Sequence, residues 1–315
     1  MNTVVCTLFE KSHHYGVAAL VNSLNKNGYK GSVYAGYKGE LPFWASGAVE
    51  DPRLDWDSAR TLILAEGISI HFLPLDTDYH LAHYKPVFML ALMKGIANDA
   101  DGIVYFDPDI VVTNTWSFFT RWMSYGVAMV HEIVSNDMPP THPTRMEWQK
   151  VILKLNRTTK RDIHAYINCG FCGVAKSNLE FLEVWSEVIA EAISSYGMDP
   201  GQFATFDRTS TFWSIDQDAF NIAAMCCESP ISEMGPEAMD FIHAGWTMSH
   251  ATGSPKPWKK NFLLAALAGR PPSKAEKEYW SNTSGIINLY HPTHFWWKRS
   301  SILLAAMIGR FYRRH

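Results

Sequence analysis

The sequence predicts an α/β fold built on a doubly wound, mostly parallel central sheet with helices on its faces. Two observations predict it. Across residues 1–115, apolar strand-like runs alternate with segments of helical spacing, the pattern of strands joined by helical crossovers. One of those runs, Gly102-Ile103-Val104-Tyr105-Phe106, carries no charge and is rich in β-branched and aromatic residues, as suits a strand covered on both faces. It runs into Asp107-Pro108-Asp109 and resumes as Ile110-Val111-Val112. The C-terminal edge of such a sheet is where ligands bind, so this carboxylate pair marks the candidate site.

In chain order, residues 3–8 read as the first strand. Residues 15–27 follow as a helix, with Val17, Leu20, Val21 and Leu24 at helical spacing and Gly28 as its cap. Residues 32–37 are the second strand, and 41–57, rich in Pro, Gly and Trp, a loop. Residues 61–65 are apolar with a helical reading open, 68–73 a strand, and 79–97 a helix with Pro86 near its start. Past the aspartate pair, 127–130 is a strand, and 133–164 a polar loop holding a short helix near 148–155. Residues 165–174 are a strand, 179–194 an amphipathic helix, 196–213 a loop and 215–225 a helix. Residues 240–246 read as a short strand and 250–258 as a loop.

With 315 residues, 47% of them apolar, the chain has material for a sizeable core. A net charge of −3 gives no basis for a nucleic-acid partner. The five cysteines, Cys6, Cys169, Cys172, Cys226 and Cys227, are odd in number and clustered, which does not make a disulfide framework and suits a reducing, cytoplasmic compartment. Neither a signal peptide nor a transmembrane run is expected from the apolar pattern. There is no G-x-G-x-x-G after the first strand and no G-x-x-x-x-G-K-[ST] anywhere, so dinucleotide-binding and P-loop readings lose their main support.

Asp107 and Asp109 pose an electrostatic problem, because unpaired buried charge is very costly. A positive group is expected between them, and a hard divalent cation that bridges to a phosphate is the natural one. Out of context, the same stretch is a polar turn. Three further stretches give it a context: Tyr166-Ile167-Asn168-Cys169-Gly170-Phe171-Cys172-Gly173, Ser214-Ile215-Asp216-Gln217-Asp218-Ala219-Phe220-Asn221, and His250-Ala251-Thr252-Gly253-Ser254-Pro255-Lys256-Pro257-Trp258.

In this order, over roughly residues 3–258, these stretches resemble the retaining glycosyltransferases of family 8, the family of glycogenin and of bacterial lipo-oligosaccharide galactosyltransferases. The H-x-x-G-x-x-K-P-W pattern at 250–258 is the most specific part. The resemblance implies a GT-A fold, with a catalytic domain over 1–262 and a C-terminal helical extension over 263–315. It implies Mn²⁺ (or Mg²⁺) held by Asp107, Asp109 and His250, and a nucleotide-sugar donor, by default a UDP-sugar. Lys256 and Gly253 would meet the diphosphate, and Asp216 the donor-sugar hydroxyls. Gln217 matches the residue beside the anomeric carbon. Thr7 lies where the base and ribose are held, Lys85 where a basic residue contacts the donor, and Asn168 and Gly170 match an N-x-G motif beside the sugar. Cys169 replaces the family's common Ala, and residues 9–15 depart from its usual loop. The implied activity is transfer of a hexose to a glycan or glycolipid acceptor, with retention.

Two other readings share the fold. A sugar nucleotidyltransferase needs a Gly-rich basic loop after the first strand, which residues 6–15 lack. A catalytically silent carbohydrate-binding protein would be expected to have lost part of the set Asp107, Asp109, Asp216, Gln217, His250 and Lys256, all of which are present.

The C-terminal end differs in kind. Residues 290–315 contain Lys298, Arg299, Arg310, Arg313 and Arg314, six large aromatic residues including Trp296 and Trp297, and no acid. Such a basic, aromatic, amphipathic segment is suited to the headgroup region of an anionic membrane. The expectation is a cytoplasmic protein, peripheral on the inner face of the membrane.

Overall fold

The computed structural model describes residues 1–134, 137–205, 207, 209–242 and 245–311. In chain order the elements are β1 (Thr3–Glu10), α1 (His14–Lys26), β2 (Gly31–Lys38), β3 (Val49–Glu50), β4 (Arg60–Ala65), β5 (Ile68–Pro74), α2 (Lys85–Lys94), β6 (Gly102–Phe106) and β7 (Ile110–Val112). They continue with α3 (Trp116–Met123), β8 (Val127–His131), α4 (Pro143–Lys154), β9 (Ile167–Ala175), α5 (Glu180–Tyr196), α6 (Ile215–Cys226), β10 (Ile231–Met234), β11 (Met248–His250), α7 (Phe262–Leu267), α8 (Lys274–Ser281) and α9 (Pro292–Ile308).

Nine strands form one sheet in the order β10-β8-β9-β6-β1-β2-β5-β4-β3. The pairs β1/β2, β1/β6, β2/β5 and β8/β10 are parallel, whereas β9 opposes both its neighbours and β4 opposes β3 and β5. All strands of this sheet except β4 and β9 therefore point the same way, the predicted mostly parallel sheet. The alternation along β6 shows why its sequence is apolar throughout: Ile103 and Tyr105 enter the core on one face, Val104 and Phe106 the core on the other.

Several elements differ from the sequence reading. Residues 61–65 form β4, a strand, because pairing with β5 satisfies a backbone that a five-residue helix would leave largely unpaired. The helix expected over 79–97 is confined to α2, since 80–84 turn tightly to meet the 198–203 loop, His80 N–H donating to the Pro200 carbonyl at 2.7 Å. The helix near 148–155 starts earlier, at Pro143, where a proline fits the first turn. Neither α3 nor β10 was legible from periodicity. Of the strand expected over 240–246, residues 240–242, 245 and 246 carry none, and 243–244 lie outside the described residues; a strand begins instead at Met248. Arg313 and Arg314 also lie outside the described residues.

Two features position the site. Gly16, in the first turn of α1, packs against the Asp-Pro-Asp turn so closely that a Cβ would fall 1.9 Å from the Pro108 carbonyl oxygen. β7 and β11 pair as a separate antiparallel ribbon that sets His250 opposite Ile110, and Ala251 N–H donates to the Asp109 carbonyl at 3.0 Å. The C-terminal helices are fastened to this ribbon and to α1: Phe262, Ala266, Tyr279, Trp280, Ile302 and Ala305 share an apolar cluster with Ala19 and Val111.

Candidate active site

A cleft of about 480 Å³ opens at the C-terminal edge of the sheet. Asp107 and Asp109 leave the end of β6, Asn168, Cys169 and Gly170 lie on β9, Asp216 and Gln217 start α6, and His250 ends β11. The acidic first turn of α6 complements the positive end of the helix dipole.

Ligand-type atoms of Asp107, Asp109 and His250 lie within 4.8 Å of one another. His250 Nε2 sits 3.2 Å from Asp109 Oδ1 and 3.8 Å from Asp107 Oδ2. Gly170 makes this approach sterically possible: a Cβ there would lie 2.5 Å from His250 Cε1 and 2.8 Å from Asp107 Oδ2. Two carboxylates and an imidazole with a free ring nitrogen are a donor set that suits Mn²⁺ or Mg²⁺ better than a soft metal, so these residues fit a divalent cation.

Each carboxylate also has its own ammonium. Asp107 Oδ1 accepts from the Tyr105 hydroxyl at 2.9 Å and lies 3.2 Å from Lys85 Nζ. Lys256 Nζ donates to Asp109 Oδ2 and to the carbonyls of Ala251 at 3.1 Å and Thr252 at 3.3 Å. Burial alone raises the Asp109 carboxyl, but the adjacent His250 and Lys256 outweigh it and hold it far below the usual carboxylate range.

Lys85, 3% exposed, spans the cleft floor. Its ammonium lies 3.3 Å from Asp216 Oδ2 and donates to the Cys169 carbonyl at 3.2 Å. Burial disfavours that charge, but Asp107, Cys169, Tyr105 and Asp216 together raise its pKa well above that of ordinary lysine. Asp216 also accepts from Cys169 Sγ at 3.1 Å and Ser214 Oγ at 3.1 Å. Burial opposes its ionisation, yet Lys85, His83 and these two donors hold it at about 2. Gln217 Oε1 accepts from Cys169 N–H at 3.3 Å. Asp218 faces away from the cleft, where burial pushes its carboxyl up to about 6 while Tyr166 Oη and the backbone of Trp213 and Ser214 donate to it.

The structure thus brings Asp107, Asp109, His250, Lys256, Lys85, Asn168, Gly170, Asp216 and Gln217 to one cleft. Two expected residues are not on its walls. Thr7 is fully buried with its hydroxyl unpaired, because β1 is covered on both faces there; Leu8, Phe9 and Glu10, at the strand's end, reach the cleft instead. Gly253 lies exposed on the rim, where a Cβ would meet open space. Sequence reasoning missed Glu132, which accepts from Asn168 Nδ2 at 2.6 Å and lines the cleft. The available signal was a lone acid just past the apolar run 127–130, without the second carboxylate that marked Asp107.

No family model and no curated protein matches the sequence. Solved structures do match the fold. The chain is similar to the WbbM bifunctional glycosyltransferase (TM-score 0.54, 13% identity, 94% of this chain and 51% of that one). It is also similar to galactosyltransferase LgtC in complex with donor and acceptor sugar analogues (0.54, 13%, 94% and 99%) and to the glycosyltransferase GlyE of Streptococcus pneumoniae TIGR4 (0.51, 12%, 95% and 64%). The chain spans about half the length of WbbM, two-thirds of GlyE and nearly all of LgtC. What these neighbours share with it at such identities is architecture: a large, mostly parallel sheet between helices. The chain has the GT-A fold of glycosyltransferases.

Proposed function

We propose that this protein is a metal-dependent, retaining glycosyltransferase that moves a hexose from a nucleotide-sugar, by preference a UDP-sugar, to a glycan or glycolipid acceptor. One observation carries the reading: a divalent-cation donor set and Lys256 line the same cleft as Asp216 and Gln217, with the Lys85 ammonium between Asp107 and Asp216. A cation on Asp107, Asp109 and His250 would neutralise charge on the departing diphosphate. Lys256 would grip the diphosphate, and Asp216, fully ionised at neutral pH, would accept hydrogen bonds from donor-sugar hydroxyls. The anomeric C–O bond to the diphosphate breaks as the acceptor oxygen bonds the same face, and the acceptor proton passes to the leaving phosphate. Gln217 fits this route, because an amide beside the anomeric carbon is a poor nucleophile for the covalent alternative used by retaining glycosidases.

The surface of the C-terminal helices supports a lipid-linked acceptor. Trp296, Trp297, Leu303 and Met307 of α9 and Leu264 of α7 are exposed, and Lys298, Arg299 and Arg310 accompany them with no acid on α9. On this reading the enzyme works in the cytoplasm, against the inner face of an anionic membrane. No helix of the described residues is long and apolar enough to cross a membrane.

The test is thermal-shift binding of a nucleotide-sugar panel with and without Mn²⁺. Stabilisation that requires both a UDP-sugar and metal supports the reading, since a ligand bound only by the native state raises its stability. Asp109→Asn is expected to abolish this joint shift with the fold intact. Absence of any shift across the panel rejects the transferase reading in favour of a silent sugar-binding protein.

A further inference from the structure

The acidic pair already has counter-cations within the chain itself. Asp107 and Asp216 share Lys85, and Asp109 is paired with Lys256, so two ammonium groups face three carboxylates. A divalent cation would turn this small negative excess into a positive one, an arrangement that favours an anion beside it.

The two lysines are not equivalent. The Lys85 side chain is 4% exposed and fixed between Asp107, Asp216 and the Cys169 carbonyl. The Lys256 side chain is 26% exposed, and among the described residues it holds, apart from Asp109, only the two carbonyls of its own loop. Its loop forms the rim of the cleft, so of the two ammonium groups it is the one with room to leave. Asp109, 7% exposed, has both oxygens engaged, Oδ1 by His250 and Oδ2 by Lys256.

We propose that Lys256 is a resident counter-cation on Asp109 that yields the carboxylate to a divalent cation and transfers its charge to the incoming diphosphate. This rests on the proposed glycosyltransferase reading for the identity of the anion. Metal arriving alone must break the Asp109–Lys256 pair and leave an ammonium unpartnered, so it binds weakly. Diphosphate arriving alone must draw Lys256 away and leave Asp109 uncompensated. Together each removes the cost of the other, which is positive coupling and is by linkage reciprocal. Lys256 thereby sets an interdependence of metal and donor that Lys85, locked in place, does not.

The experiment is a Mn²⁺ titration of the full chain, followed by the electron paramagnetic resonance signal of free Mn²⁺, with and without UDP. It is run on the native protein, Lys256→Gln and Lys256→Arg, each checked by circular dichroism and thermal unfolding. In the native protein UDP is expected to tighten Mn²⁺ binding about tenfold or more. Lys256→Gln is expected to bind Mn²⁺ alone several-fold tighter than native, with the UDP enhancement shrinking toward unity. Lys256→Arg is expected to keep the native pattern. A folded Lys256→Gln that binds Mn²⁺ alone no better than native overturns the proposal. Should that variant not fold, native protein whose Mn²⁺ affinity ignores a bound UDP overturns it equally. If native protein binds Mn²⁺ but not UDP, the donor assignment fails, while the effect of Lys256→Gln on Mn²⁺ alone still decides the counter-cation role.

Discussion

Gly170 sets how close β9 can come to the ligand cluster. A methyl there would sit 2.5 Å from His250 Cε1 and 2.8 Å from both Asp107 Oδ2 and Asn168 Oδ1, so Gly170→Ala must push the imidazole or the carboxylate aside. We expect it to weaken Mn²⁺ binding by about 10–100-fold, the usual scale for disturbing the surroundings of a metal ligand, while the thermal transition stays cooperative. An unchanged Mn²⁺ affinity would show that the cluster relaxes around the methyl. Lys85→Met acts on stability. It strips the shared cation from Asp107 and Asp216, the latter 2% exposed. Removing one partner from such a buried pair costs about 3–5 kcal/mol, to be read from urea unfolding. At this scale the sequence was legible where spacing is local: Asp107 with Asp109, and Asp216 with Gln217. It was not legible where pairing is tertiary. The sequence argument called for a cation between the two aspartates, and the structure supplies Lys85 and Lys256 from far along the chain. Nothing in the neighbours of Glu132 announced its bond to Asn168.

Between β2, β4 and β5 runs a buried polar chain. Thr61 Oγ1 donates to Asp51 Oδ2 at 2.9 Å, so its oxygen is left to accept the Nδ1 proton of His71, 2.8 Å away. His71 Nε2 is then an acceptor for the hydroxyls of Ser32 at 3.0 Å and Ser69 at 3.2 Å. Burial lowers the His71 pKa to about 4, with Asp51 working against the shift. An unfolded histidine takes up its proton near pH 6.5, and the folded one waits until about pH 4. Stability is therefore complete above pH 6.5 and falls as pH drops from 6.5 to 4, by about 3 kcal/mol for a shift of this size. Urea unfolding of native protein and His71→Gln should show the native form losing that much more between pH 7 and pH 4. Parallel losses in the two proteins would reject this role for His71. Elements with a clear composition or period were readable: β6 as an uncharged β-branched and aromatic run, α5 from its helical spacing. The strand β4 was not, because its five-residue apolar run has no distinguishing period and only its partner β5 decides its state. For α3 and β10, packing rather than pattern settles the structure.

At the scale of the molecule, the proposed function rests on one edge and one surface. The edge is the cleft. The surface is the exposed side of α7 and α9, whose opposite side, through Ile302 and Ala305, is built into the same cluster as Trp280 and Phe262. Truncating α9 would therefore damage the core, and a surface test needs substitutions that leave Ile302 and Ala305 alone. The triple change Trp297→Ser, Leu303→Ser, Met307→Ser is expected to lower affinity for phosphatidylglycerol vesicles about tenfold or more with Mn²⁺ binding unchanged. Vesicle binding equal to that of the native protein would reject the membrane contact.

The short ribbon of β7 and β11 has one further consequence. His250 reaches Asp109 only because residues 248–250 pair with residues 110–112, a contact between segments far apart in the chain. During synthesis the first strands of the sheet leave the ribosome long before that segment exists, and contacts of such sequence separation form late. The acidic turn must therefore pass through early folding without its imidazole and without Lys256. The ability to hold a metal ion should accordingly arrive late, and a nascent fragment ending short of residue 248 should possess the strands of the nine-stranded sheet and the two aspartates but not the imidazole that completes the ion-binding centre.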